Sequence, residues 1–153
     1  EELARFLQAG GKVLVLNAGG ALKKLLPEVV ADYRARVVEI AGIDDETHPA
    51  FDGLEPLDLS WLNVEGDGVP HVCEGAYVLK PQAQAKVLAY TVWPHGYLKK
   101  PQDLQSHYGV TCFEMRRGTG TLMAAELSDF ALQHDPVAAR YLANLKAYLS
   151  SDR

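Results

Sequence analysis

The strongest pattern along the chain is a short apolar run, Lys12 to Leu16 (KVLVL). It is followed by Asn17-Ala18-Gly19-Gly20 and then by leucines at 22, 25 and 26. An uninterrupted apolar run of this length reads as a buried strand, the glycines as a tight turn, and the 3–4 spacing of leucines as a helix. Strand, turn and helix are the repeating unit of α/β sheets. Ligands in such sheets gather at the carboxyl ends of strands, which places any chemistry at Asn17, Gly19 and Gly20.

The same two periods organise the rest. Leu3, Phe6 and Leu7 share a helical face that Gly10-Gly11 closes, and Pro27 ends the second helix. Tyr33 to Ile40 reads as a strand, and residues 42–63 as a long acidic excursion ending in a short helix over Leu57 to Leu62. Residues 65–70 read as a loop, Tyr77 to Leu79 and Lys86 to Val92 as strands, and Trp93 to Ser106 as a second long loop. Two β-rich segments flank Arg117-Gly118-Thr119-Gly120 and predict an antiparallel hairpin. Asp135-Pro136 supplies a cap and a first-turn proline. Val137, Tyr141, Leu142, Leu145, Tyr148 and Leu149 then form one face of a closing helix. The expected fold is α/β: a flavodoxin-like three-layer sandwich, its central sheet mostly parallel, with an antiparallel hairpin near the C-terminus.

Composition narrows the function classes. With 153 residues, 48% hydrophobic and 23% charged, the chain has the balance of a single globular domain. A net charge of −5 without a basic cluster argues against nucleic acid as a partner. No apolar run approaches the ~18 residues of a membrane span. The opening Glu1-Glu2-Leu3 is neither an initiator methionine nor a signal segment. The domain, residues 1–153, is therefore expected to be cut from a larger protein. Its compartment stays open, periplasmic or secreted if that protein carries a signal peptide. Cys73 and Cys112 read as two small buried hydrophobes rather than a staple.

The order and spacing of four segments resemble the class I glutamine amidotransferase-like fold, in the divergent form appended to family 2 β-galactosidase-type glycoside hydrolases. Leu3 to Gly20 is similar to that family's helix, Gly-Gly, strand and elbow. His48-Pro49-Ala50-Phe51-Asp52-Gly53-Leu54 is similar to a His-Pro, apolar, Gly-Leu segment also found in trehalose-utilisation relatives. Glu114 to Leu127 resembles the late hairpin, and Asp135 to Leu149 the closing helix. Where active relatives keep a cysteine nucleophile at the elbow, this chain has Asn17. Where their histidine and glutamate follow the late strand, it reads Glu126-Leu127-Ser128-Asp129, without an imidazole. An amide has no thiolate to offer, so the resemblance implies a domain whose catalytic residues are lost.

The remaining candidates are chemically thin. His71-x-Cys73-Glu74 lacks an orienting third group, and the five histidines have no metal-ligand spacing, so neither metal nor cofactor is expected. Lys23 and Lys24 beside the turn, and the acids Asp44, Asp45, Glu46, Asp52 and Glu55, read as solvated charge. Trp61, Trp93, Tyr97 and Tyr108 offer flat rings for a sugar, with Trp93 and Tyr97 the best placed, or they plug the loops onto the domain or dock against a neighbouring one. The leading expectation is a non-catalytic accessory domain of a β-galactosidase-like glycoside hydrolase that braces or oligomerises the catalytic domain. Its partners are then other domains of the parent chain, and homo-oligomers form through the parent. The rivals are a carbohydrate-binding module and an independent thiol hydrolase or amidotransferase.

Overall fold

The computed structural model describes residues 2–62, 70–93 and 107–151. Helix α1 (Glu2–Gln8) leads through Gly10, at φ 92°, into strand β1 (Lys12–Leu16). A 3₁₀ turn (Gly19–Ala21) and the one-turn helix α2 (Leu22–Leu25) follow, then β2 (Val30–Arg34) and the short β3 (Gly42–Ile43). A second 3₁₀ turn spans Pro49–Phe51. The second half holds β4 (Ala76–Leu79), β5 (Ala85–Val92), the long β6 (Tyr108–Arg117), β7 (Gly120–Ala125), α3 (Asp129–His134) and α4 (Pro136–Ser150).

All seven strands join one sheet organised on β6. On one side β6 pairs with β5, which carries β3. On the other side it pairs with β7 over residues 112–117 and, beyond the end of β7, meets β4 at Val110. Strand β2 closes that end against β4, and β1 lies outside β7. Among the described residues only the β1–β7 pair is parallel; the others are antiparallel. The sheet is thus mixed and largely antiparallel, not mostly parallel as the strand–turn–helix opening suggests. The reason is connection length. After α2 the chain reaches β2 without a crossover helix, and β6 turns straight into β7 through a two-residue hairpin, so those neighbours reverse direction.

The expected C-terminal hairpin is present, with Arg117 opposite Gly120. Gly118 takes φ 60° at the first turn position, as a two-residue hairpin of the II′ kind requires. Gly120 is needed for closeness: a Cβ there would lie 2.2 Å from the Leu7 carbonyl oxygen, so α1 could not seat on β7. Alternate residues of β6 and β7 feed two cores. Leu7, Leu22, Tyr77, Phe113 and Leu122 pack on one face. On the other, Phe51, Leu88, Cys112 and Met123 pack with Tyr141, Leu145 and Leu149 of α4. Helix α4 starts as its sequence predicts, the Asp135 carboxylate accepting from Val137 N–H at 2.9 Å ahead of Pro136.

Local expectations fail in instructive places. The run 33–40 is strand only through Arg34; beyond it Val38 and Ile40 make isolated bridges to Cys73 and Ser60. Leu57 to Leu62 forms no helix, because Leu59 and Leu62 are drawn singly into the core. Phe6 is 54% exposed. Strand β1 is half-buried rather than buried because it is the last strand on its side among the described residues. Both cysteines are free and buried, as small hydrophobes are. No helix among the described residues is long and apolar enough to cross a membrane. Leu122 is fully buried, so Leu122→Ala should cost about 2–5 kcal/mol in urea unfolding with an unchanged m-value.

Candidate functional site

The elbow lies where sheet logic places it, at the carboxyl ends of β1 and β7. Asn17 continues the parallel ladder, its N–H donating to the Ala125 carbonyl at 3.0 Å, and its backbone turns over at φ 51°. That left-handed conformation costs most residues 1–2 kcal/mol; asparagine tolerates it best among those with a Cβ. Both ends of its amide are taken. Nδ2 donates to Asp129 Oδ1 at 2.6 Å, and Oδ1 accepts from Leu127 N–H at 2.7 Å. Gly19 also needs its positive φ of 51°, whereas nothing lies within 4 Å of a Cβ placed on Gly20.

Beneath the elbow sits Glu126, 5% exposed. Strand register delivers its partners: Tyr33 is opposite Tyr77, and Tyr77 is opposite Val110, two residues beyond Cys112 where the pairing with β7 ends. Oε1 accepts from Gly19 N–H at 3.0 Å and from the Tyr77 hydroxyl; Oε2 accepts from the Tyr33 hydroxyl at 3.1 Å. Burial, reinforced by the adjacent carboxylate, pushes both phenols well above their usual range, so they stay protonated donors. Sequence reasoning marked Glu126 only as the place of a missing imidazole. Its signal was an acid in register with Leu122 and Ala124 on an apolar strand face.

Both thiols are enclosed. Cys73 donates to the Gly75 carbonyl at 3.1 Å, and burial pushes its thiol up. Burial likewise pushes the Cys112 thiol up to about 12. His71 turns to Glu74, its Nε2 2.6 Å from Oε1. A protonated, enclosed thiol lacks the thiolate that attack requires.

A second polar cluster joins the His48-Pro49 segment to β6 and α4. His48 Nδ1 accepts from Ala50 N–H at 3.1 Å, which leaves the ring proton on Nε2, 3.2 Å from Glu114 Oε2. The Tyr148 hydroxyl donates to that same oxygen at 2.9 Å, and Arg116 Nε to the other at 3.1 Å. These contacts, the His48 bond foremost, hold the Glu114 carboxyl down at about 2 despite its burial. Clefts of about 460 and 350 Å³ open on the two sides of His48 and Tyr148. A larger apolar groove, about 720 Å³, runs over Ala31, Val78, Val87, Val92, Tyr108 and Val110.

The aromatic candidates separate. Trp93 is 4% exposed; its indole donates to the Val37 carbonyl at 2.8 Å, and Arg36 lies over its ring. It is a packing residue, not a free platform. Trp61 is 57% exposed at φ 47°, and Tyr108 stacks on Tyr90 with centroids 5.6 Å apart. Tyr97 lies outside the described residues. Lys23 pairs with Asp32 at 3.3 Å. Asp45 accepts from Lys86 and Thr47, which hold it down at about 2. No cluster suited to a metal occurs among the described residues.

Two measurements check these assignments. Asn17→Gly and Asn17→Ala both lose the bonds to Asp129 and Leu127, about 1 kcal/mol each. Only alanine adds left-handed strain, so it should be the less stable by about 1 kcal/mol in chemical denaturation. Because the Glu114 pKa is lowered on folding, its contribution is whole above its ordinary pKa of 4.5. It fades as pH falls from there towards about 2. Glu114→Gln should flatten that part of the stability profile.

No family model and no curated protein matches the chain. Solved structures do. A cytoplasmic protein from Salmonella typhimurium aligns with TM-score 0.57 and 12% identity, covering 96% of this chain and 58% of its own. A putative ThuA-like protein from Bacteroides uniformis gives 0.60 and 15%, covering 98% and 62%. A cold-adapted β-galactosidase from Rahnella sp. R3 gives 0.52 and 14%, covering 96% of this chain but only 20% of the enzyme. The chain thus spans about three fifths of the first two. The ThuA-like likeness agrees at the level of fold with the class I glutamine amidotransferase-like resemblance. At such identities the shared property is the fold: an α/β unit that also occurs as one fifth of a glycoside hydrolase chain.

Proposed function

We propose that this domain is a non-catalytic accessory unit of a multidomain carbohydrate-active enzyme of the β-galactosidase-like glycoside hydrolase kind. It braces or oligomerises the catalytic domain. The observation that carries this reading is the closed elbow. An asparagine whose amide is fully engaged occupies the position of attack, over a carboxylate enclosed by three donors. Acyl transfer needs an activated nucleophile beside a base, with room for substrate. An amide already bonded to Asp129 and Leu127 does not meet the first of those requirements. Support for the parent comes from the β-galactosidase neighbour, in which a unit of this fold accounts for a small share of a long chain.

A carbohydrate-binding module is the second reading. Its one specific support is Trp61, a large ring left in solvent at a backbone turn.

The full gene product is the material for the test. It should hydrolyse a nitrophenyl β-galactoside, and Cys73→Ala or Cys112→Ala should leave turnover within about twofold. Absence of any glycosidase activity, or loss of turnover with either cysteine, overturns the accessory reading. Trp61→Ala should leave galactoside affinity unchanged; a tenfold loss of binding at constant turnover would establish the binding module instead.

A further inference from the structure

The segment that leads from β4 into β5, Lys80-Pro81-Gln82-Ala83-Gln84-Ala85-Lys86, alternates polar residues with proline and alanine. Ala83 and Ala85 pack against the core that holds Leu7 and Phe113, whereas Gln82, Gln84 and Lys86 are exposed. Its start is tied down. Lys80 N–H donates to the Val29 carbonyl at 2.8 Å, and Ala83 N–H closes a turn on the Lys80 carbonyl at 2.9 Å. Pro81 takes the second position of that turn, where its ring presets the required φ. The polar side chains are thus presented from a fixed backbone. Among the described residues, those of Lys80, Gln82 and Gln84 have no hydrogen-bond or ion-pair partner.

Strand register brings this segment to Arg116. Lys86 is opposite Glu114 and Ala85 opposite Met115, so Gln84 comes level with Arg116. Two clefts meet there and share Gln84, Met115 and Arg116. One, of about 350 Å³, continues to Lys86 and Glu114; the other, of about 440 Å³, continues to Lys80, Gln82 and Arg117. The Arg116 side chain is 71% exposed, and an arginine so placed ordinarily keeps its rotamer freedom. Here its Nε is held 3.1 Å from Glu114, a buried carboxylate itself held by His48 and Tyr148. The guanidinium is therefore oriented before any ligand arrives, which lowers the ordering cost of binding. The larger cleft sets Lys80, Arg116 and Arg117 against one lining acid, Glu28, which pairs with Arg117 at 2.6 Å. A positive cleft on a chain of net charge −5 is a local arrangement, not a consequence of composition.

We infer that these joined clefts bind a small organic anion through its carboxylate or phosphate group. A guanidinium fork, an ammonium group and two side-chain amides are all donors to an oxyanion, and the charged ones make the stronger bonds. The cleft volumes are those of small-molecule sites. The chain's net negative charge argues against a nucleic-acid backbone as the anion. Arg116 is opposite Thr121, near the start of β7, whereas the elbow lies at the far end of that strand. The site is thus separate from Asn17 and independent of what the parent chain hydrolyses.

Calorimetric titration of the full gene product at low salt tests this, with glucose 6-phosphate, glucuronate and uncharged glucose as probes. At least one of the two anions should bind saturably, with Kd of about 1 mM or below. Arg116→Gln and Gln84→Glu should each weaken that binding by about tenfold or more, and neither should change the response to glucose. Gln84→Glu leaves the bonds of Glu114 in place, so its urea midpoint should stay that of the parent and its effect reads charge in the cleft. Tighter binding of glucose 6-phosphate supports the inference with phosphate as the recognised group; tighter binding of glucuronate supports it with carboxylate. Anion binding that either variant leaves within about twofold overturns it, and so does the lack of saturable binding of both anions up to about 10 mM.

Discussion

A carboxylate taken out of water needs partners, and at Glu126 every partner comes from a different part of the sheet. The residue stands one step past the end of β7, where β6 exchanges β7 for β4 as its neighbour. Gly19 N–H ties it to the turn after β1, Tyr77 to β4 and Tyr33 to β2. Burying that group without its donors would cost several kcal/mol. The corner is therefore stable only when all four segments are in register together. The two phenol rings are tilted at 55° with centroids 5.5 Å apart, so the same contact is also apolar packing.

This constraint accounts for the character of the elbow above it. The backbone of Asn17 is turned into the left-handed region, the arrangement that lifts a side chain out of a strand end. Here the lifted side chain is bonded back to Asp129 and Leu127. The strain that a reactive elbow stores for catalysis is instead offset by local hydrogen bonds. The second cluster, His48, Glu114, Tyr148 and Arg116, uses the same device on the opposite face, pinning a 3₁₀ turn and the end of α4 to β6. Two buried carboxylates thus act as joints between layers, one on each side of the sheet.

Elements whose signals are local were legible in the residues. Gly118 marks the hairpin, Asp135-Pro136 the start of α4, and Gly10-Gly11 the end of α1, because each depends on a φ angle or a cap within a few positions. The apolar face of α4 and the strand at Lys12–Leu16 follow from periodicity. The position of Asn17 at a strand end followed from the same unit. For Trp93 the sequence left a sugar platform and a packing role open, and only the fold brings the Val37 carbonyl to its indole.

What the amino-acid order by itself determined is therefore the elements with local signals, namely α1, β1, the late hairpin and α4, together with their capped ends and the absence of a thiol at position 17. Strand direction and neighbours were decided only in three dimensions. An apolar run states that a strand is buried but not against which strand, and β2, β4 and β5 run antiparallel to neighbours tens of residues away. The role of Glu126 was decided there too. A lone acid in an apolar run becomes a joint only where a register unrelated to sequence distance lays Tyr33, Tyr77 and Gly19 around it. Electrostatic partners act through space, and the chain's order does not encode that distance directly.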